Sequence, residues 1–195
     1  MLICSRLGYN CTVVDDLSDD TYDNPETESV LKLFAEENVA VVQGDAFDEG
    51  QIKQYEKQYD LVTSHDSLEH WHNSPKELLH ALWGQMRDGG LLWIGVPNCV
   101  NLRKRITVPF GHGKWSTMND WYEAPVFRGH VREPDVGDLR YIANDLGAAK
   151  VQIEGKNWIG YRHPRKLVRT LIPFADKVLQ LRPSLCSDIN LFAWK

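Results

Sequence analysis

The stretch from Tyr59 to Asn98, YDLVTSHDSLEHWHNSPKELLHALWGQMRDGGLLWIGVPN, constrains the fold more than any other part of the chain. Asp60-Leu61-Val62-Thr63 is a short, β-prone apolar run of the kind that forms a buried strand. A polar cluster ends it: Ser64-His65-Asp66, then Glu69-His70. Ser74, Pro75 and Glu77 have the spacing of an N-cap, a first helical residue and a capping-box partner. Leu78, Leu79, Leu82, Trp83 and Met86 recur at helical spacing, which predicts a helix with one buried face. Asp88-Gly89-Gly90 reads as a turn, and Leu91-Leu92-Trp93-Ile94-Gly95-Val96 as a second buried strand ending at Pro97-Asn98. A strand–helix–strand unit belongs to open α/β sheets. Such sheets bind ligands outside the carboxyl ends of their strands, which is where Ser64–Glu69 fall.

A chain of 195 residues is long enough for one domain with a substantial core. A hydrophobic content of 43% beside 25% charged residues is that of a soluble globular protein. The net charge of −5 argues against a general nucleic-acid surface. No apolar run approaches the ~20 residues that span a bilayer, and Met1–Arg6 lacks the layout of a secretory leader. The expectation is a cytoplasmic protein without membrane or general nucleic-acid partners. Cys4, Cys11, Cys99 and Cys186 show no metal-type pairing and read as reduced thiols.

Around the central unit, Met1–Leu7 reads as a helix end with Gly8 as its stop, and Cys11–Val14 as a strand. Asp15-Asp16 stands at the strand's carboxyl end, where a carboxylate accepts two hydrogen bonds from a ribose diol. A turn of solvated acids (Asp15, Asp16, Asp19, Asp20) is the plainer alternative. Asp23–Glu28 reads as a polar loop, Val30–Phe34 as a helix face closed by Asn38, and Val39–Val42 as the next strand, leading to Gly44-Asp45-Ala46-Phe47. Gln51–Lys57 is expected to be a short helix.

Downstream, Asn101–Ile106 is a short basic helix whose Arg103-Lys104-Arg105 forms either a solvated face or a contact for an acidic substrate. Residues 109–133 lack periodicity yet carry His112, Trp115, Trp121, Tyr122, Phe127 and His130. A stretch of that length reads as a lid over the acceptor, or as a loop packing its aromatic residues on the core. Asp135–Leu146 is a helix stopped by Gly147, and Ala149–Ile153 an alternating strand. Arg165–Leu179 is a helix interrupted at Pro173, and Cys186–Trp194 a final strand.

The phrase D-x-V-x-x-x-x-x-L-E-H over Asp60–His70, followed by x-P, spaced leucines and G-G-x-L…P-N, resembles the strand 4 to strand 5 segment of class I S-adenosylmethionine (SAM)-dependent methyltransferases. The resemblance implies a Rossmann-like α/β fold, its sheet mostly parallel with an antiparallel last strand and helices on both faces. It implies a single methyltransferase-like domain over 1–195, with 1–100 binding cofactor and 101–195 forming the acceptor-binding lid and C-terminal part. Asp15, with Asp16, would take the SAM ribose; Asp45, with Ala46, would face the adenine; Ser64 and His65 would complete the cofactor site. The function implied is methyl transfer from SAM, with the oxygen of a small molecule or sugar as the expected acceptor.

The family's glycine-rich turn would precede residue 1, and its first strand would lie between Cys11–Val14 and Tyr59–Thr63. The expectation is therefore two strand edges without that partner. A truncated or misassigned start, another segment, a homodimer or other partner chain that covers the gap, and a degenerate fold kept as a binding module all fit this expectation. Methyl transfer to a hydroxyl needs an in-line approach at roughly 3 Å and a base. His65, His70 and His130 are the candidate bases; each also fits a structural hydrogen-bonding role.

Asp66-x-x-Glu69-His70 with the downstream Gly129-His130 resembles the divalent-metal site of ubiquinone-pathway and small-RNA 2′-O-methyltransferases. By that resemblance Asp66, Glu69, His70 and His130 would hold Mg²⁺, Mn²⁺ or Zn²⁺. The plainer alternative has Glu69 bracing the following loop and His70 packing beside the cofactor. Val13–Ser18 also resembles a strand of NAD-dependent nucleotide-sugar epimerases. Those need Tyr-x-x-x-Lys, and Tyr161 has Arg165 in that place.

Overall fold

The structure is a computed structural model and describes residues 1–15, 17, 25–44, 59–113, 116–157, 164 and 166–195, with Val168 by its backbone alone. It falls into two compact units, Met1–Glu56 and Lys57–Lys195.

In the first unit, helix α1 (Leu2–Arg6) precedes strand β1 (Cys11–Asp15). Helix α2 (Pro25–Glu36) precedes strand β2 (Val39–Gln43). The strands pair in parallel from Cys11↔Val39 to Asp15↔Gln43. The chain enters α2 at Pro25, inside the stretch expected to be a polar loop. Proline's fixed φ suits the first helical position, and Glu26 and Glu28 complement the positive end of the helix. Asn38, with φ of 56°, makes the left-handed turn that stops α2.

The second unit holds a four-stranded sheet in the order β3 (Tyr59–His65), β4 (Met86–Pro97), β6 (Asp188–Trp194), β5 (Lys150–Lys156). Strand β3 pairs in parallel with β4, and β6 runs antiparallel to both β4 and β5. So β3, β4 and β5 share a direction, and the last strand opposes them, as the sequence led us to expect. Among the described residues, β1 and β3 each have a single partner strand.

Helices α3 (Pro75–Gln85) and α5 (Val136–Asp145) begin with side-chain caps. The Ser74 Oγ accepts from the Lys76 amide, while Asp135 and Asp138 form a full capping box. Together these helices cover one sheet face. Leu79 and Trp83 from α3, and Leu139 and Ala143 from α5, meet Leu92, Ile94 and Val96 of β4 and Ile189, Leu191 and Ala193 of β6. Alternation along the strands sends Trp93, Gly95, Asn190 and Phe192 to the opposite face. There Trp93 stacks on Phe192 at 5.2 Å, and Phe192 on Trp194 at 6.5 Å.

Four features depart from expectation. The Asp88–Gly90 segment is an irregularity inside β4, which begins at Met86 and shifts register between Tyr59 and Leu61. The Gly89 amide donates to the Lys195 carbonyl, and the Lys195 amide to that of Gly90, so this glycine-rich excursion stays bonded into the ladder. Helix α6 (Lys166–Gln180) runs through Pro173 without interruption. Proline removes one backbone bond, and three residues on, the buried Asp176 carboxylate anchors the same helix by accepting from Asn157 Nδ2 at 2.6 Å. Lys104, expected on a solvated face, is buried in helix α4 (Leu102–Thr107) and ion-paired with Glu133. Residues 109–133 carry a 3₁₀ turn reaching Phe110 and a π-helical turn at Asn119–Glu123, and leave Phe110, Trp121 and Tyr122 exposed. Trp115 and the expected helix at 51–57 lie outside the described residues.

Candidate functional site

The carboxyl edge of the second unit's sheet carries a solvent-open hollow of about 260 Å³. Its walls come from all four strands at that edge. His65 ends β3, and Gly95 and Val96 lie near the end of β4. Lys156 ends β5 with Asn157 following, and Asp188 and Asn190 begin β6. Asp66 completes the lining. Because β6 alone runs the other way, its first residues meet the last residues of the others.

His65 is placed by packing. Its ring meets Trp93 edge-on, centroids 4.5 Å apart, and lies over the bare backbone of Gly95. A Cβ on Gly95 would come within 2.4 Å of His65 Nδ1, so no other residue leaves room for the ring. Trp93 is fixed in turn, its indole N–H donating to Asn190 Oδ1 at 2.8 Å. Burial of one ring face pushes the His65 pKa down, against the opposing pull of Asp66. The ring is therefore neutral at physiological pH. Asp66 adopts φ of 47°, and its amide donates to the Gly95 carbonyl at 3.0 Å, which turns the chain away from the sheet at this point.

A second constellation follows on the same loop. Ligand atoms of Glu69, His70 and His130 lie within 4.8 Å of one another. Glu69 is 1% exposed, and its Oε2 has no hydrogen-bond partner among the described residues. Burial pushes its carboxyl up from the ordinary value. The histidines are held from behind. His70 Nδ1 lies 3.0 Å from the Arg128 carbonyl, which can only accept, so Nδ1 carries the proton. His130 Nδ1 lies 2.8 Å from Glu133 Oε1. Burial alone would raise the Glu133 carboxyl, but Lys104 and His130 outweigh it and hold it below the usual carboxylate range. That carboxylate is thus an ionised acceptor, so the bond places a proton on His130 Nδ1. With Nδ1 engaged, Nε2 is the ring nitrogen each imidazole has left to offer a ligand; His130 Nε2 stands 4.0 Å from Glu69 Oε1.

The loop that brings His130 here is strapped down by the Glu69 carbonyl, which accepts from the amides of Val131 at 2.7 Å and Arg132 at 3.3 Å. Gly129 lets the strap close, since a Cβ there would strike the Phe127 ring at 2.6 Å. Glu69 therefore both braces the following loop through its backbone and presents a carboxylate to the two histidines.

Of the residues expected to bind cofactor, His65 lines the hollow. Ser64 is not among the lining residues, because alternation directs it to the other face. Asp15 ends β1 in the first unit, and its Oδ1 accepts from the Leu17 amide at 2.9 Å. Asp16, Asp45 and Ala46 lie outside the described residues. Of the expected metal ligands, Glu69, His70 and His130 come together, while Asp66 lines the hollow instead. Glu133, Asn157, Asp188 and Asn190 were not singled out from the sequence, and Lys104 was singled out only as part of a basic run, not as the partner of Glu133. The spacing of His130 and Glu133, three residues apart beside a basic helix, was the one available signal for that pair.

Residues 1–153 match a protein family described as a methyltransferase domain. No curated protein sequence matches the chain. The structure is similar to a SAM-dependent methyltransferase of Archaeoglobus fulgidus, with 20% identity, a TM-score of 0.58, and coverage of 99% of this chain and 79% of that one. It is similar to a putative O-methyltransferase of Nostoc punctiforme, with 14% identity, a TM-score of 0.53, and coverage of 99% and 47%. It also resembles a Haemonchus contortus phosphoethanolamine N-methyltransferase in complex with S-adenosylhomocysteine, with 15% identity, a TM-score of 0.55, and coverage of 98% and 44%. The chain thus spans less than half the length of the latter two.

Proposed function

The chain belongs to the methyltransferase domain family, and on that footing we propose that it transfers a methyl group from SAM to an oxygen of a small molecule or sugar, with His65 taking the acceptor's proton. The observation that carries this reading is the neutral imidazole of His65, wedged between Trp93 and Gly95 and open to a hollow at the sheet's carboxyl edge. When bound, SAM supplies an electrophilic methyl on a sulfonium, so the protein has no covalent intermediate to make. Its residues orient the acceptor, limit water and receive one proton. As the acceptor oxygen gains the methyl, its hydroxyl proton passes to a ring nitrogen of His65. Asn157 and Asn190 offer amides to neighbouring hydroxyls, and Asp66 and Asp188 offer carboxylates that also favour a nearby positive charge. At about 260 Å³ the hollow lies below the ~300–1,000 Å³ of sites for drug-sized ligands. That size suits a monosaccharide or a comparable acceptor. Asp15, Asp16, Asp45, Ala46 and Ser64 remain the residues proposed to contact the cofactor.

Glu69, His70 and His130 fit a divalent cation: a buried carboxylate oxygen unpartnered among the described residues and two imidazoles whose Nδ1 atoms are engaged from behind, leaving Nε2 to ligate. A cation held there would supply charge stabilisation to an acceptor oxygen.

Calorimetry with SAM and S-adenosylhomocysteine tests the cofactor. Transfer of a tritiated methyl to a panel of sugars and small alcohols then tests the reaction. His65→Gln is expected to lower turnover by roughly 10²-fold while leaving cofactor affinity unchanged. Absence of binding heat at millimolar SAM would return the chain to a methyltransferase-fold binding module. For the cation, Mn²⁺ titration followed by electron paramagnetic resonance is expected to show a site in the parent protein and none in Glu69→Gln.

A further inference from the structure

Helix α6 carries its apolar side chains on the outside. Leu167, Leu171, Phe174, Val178 and, in the turn just past the helix end, Leu181 follow one another at alternating steps of four and three residues, so they form a single stripe. They are between 53% and 85% exposed. At 100° per residue, Asp176 sits opposite the middle of that stripe, and it is buried. It accepts from Asn157 Nδ2 at 2.6 Å and from Gln180 Nε2 at 3.0 Å. A helix whose task is to cover a core has the reverse arrangement, with its apolar face inward. Here a polar anchor faces the protein and about 22 Å of apolar ridge, at ~1.5 Å per residue, faces outward.

The charges indicate what covers that ridge. From Lys166 to Arg182 the cations are Lys166, Arg169, Lys177 and Arg182, all exposed, while the one acid is the buried Asp176. By helical angle Lys166 and Lys177 flank one side of the stripe, and Arg182 follows just past its end. Over the whole chain the net charge is −5, so this helix is a local reversal of sign. Two copies packed ridge to ridge would set these cations against each other. A bilayer with anionic headgroups accepts both parts, its acyl boundary taking the ridge and its phosphates the flanking cations.

We propose that α6 is an interfacial helix that docks the protein on an anionic lipid surface. It lies on the membrane rather than across it. Among the described residues, no helix is long and apolar enough to cross one. Docking also bears on the hollow, because Asn157, held from one side by Asp176, is part of its wall and accepts from the Ser187 amide at 2.7 Å.

Co-sedimentation with phosphatidylcholine vesicles, with and without phosphatidylglycerol, tests the proposal. The parent protein is expected to pellet with the anionic vesicles and to be released by high salt. Leu171→Glu/Phe174→Glu is expected to abolish binding with an unchanged circular dichroism spectrum and melting curve. Lys166→Glu/Lys177→Glu leaves the ridge intact and should weaken binding by at least about tenfold, each basic residue near such a surface being worth roughly fivefold. Failure to pellet with anionic vesicles would overturn the proposal, as would undiminished binding by both variants. So would a dimer in sedimentation velocity that Leu171→Glu/Phe174→Glu dissociates, since a second copy would then be the occupant. Vesicle binding and methyl transfer are read separately, so loss of one leaves the other standing.

Discussion

Glu133→Gln is the sharpest single perturbation of the site's support. The carboxylate and the Lys104 ammonium are both almost fully enclosed, 5% and 6% exposed, and Glu133 also fixes the His130 ring. Neutralising the acid strands a buried ammonium, which costs about 3–5 kcal/mol. At ~3 °C per kcal/mol for a chain of this length, Tm falls by about 9–15 °C. The pH dependence carries its own sign. Lys104 and His130 hold the Glu133 carboxyl below its ordinary value despite the opposing effect of burial. Its contribution is therefore fully present above the unfolded value near 4.5 and is lost as pH falls through the lower folded value. Thermal and urea unfolding followed by circular dichroism between neutral and acid pH should show the parent losing this stability in acid, with the variant lacking that limb. Lys104→Met/Glu133→Leu removes both charges and should recover most of the loss. A Glu133→Gln protein melting within about 2 °C of the parent, the range of an ordinary surface change, would refute the claim that charge holds this loop.

Glu69→Gln should act in the opposite sense. Burial raises the Glu69 carboxyl, so its stabilisation is fully present below about 4.5 and is lost as pH rises through the higher folded value. The variant should melt above the metal-free parent at neutral pH, with the gap closing near pH 4, as scanning calorimetry would show. Gly95→Ala should cost about 1–3 kcal/mol by overpacking and reduce methyl transfer with it, because the new Cβ enters the space of the His65 ring; urea midpoints and turnover measure both. Asp135→Ala removes the α5 capping box and should cost about 1 kcal/mol, a drop of ~3 °C in Tm, without changing cofactor affinity.

The strand–helix–strand unit was legible because its signals agree: apolar runs for β3 and β4, a proline and cap at Ser74-Pro75, and one apolar stripe along α3. Gly129-His130 and Glu69-His70 were legible as partners only through resemblance, since they lie far apart in sequence and meet through backbone bonds to the Glu69 carbonyl. Lys104 misled because a basic tripeptide looks solvated, and its acid stands in a segment without periodicity. Pro173 misled because propensity speaks for the local chain alone, while Asp176 ties α6 down from its inner side. The extension of β4 back to Met86 depends on Lys195, a partner no local pattern could announce. The hollow's own chemistry, at Asn157, Asp188 and Asn190, belongs to strand ends that mean nothing until the sheet order is known.

That order, β3-β4-β6-β5, has a consequence for how the protein comes into being on the ribosome. The strand inserted between β4 and β5 is the one translated after the other five described strands. Until Asp188–Trp194 clears the exit tunnel, the nascent polypeptide holds β4 and β5 with no neighbour in common, and the edge that carries the hollow lacks Asp188 and Asn190. Closing pairs such as Leu92↔Ala193 across so much of the chain makes this a slow, late step. Premature termination anywhere before that point should therefore yield an aggregation-prone product.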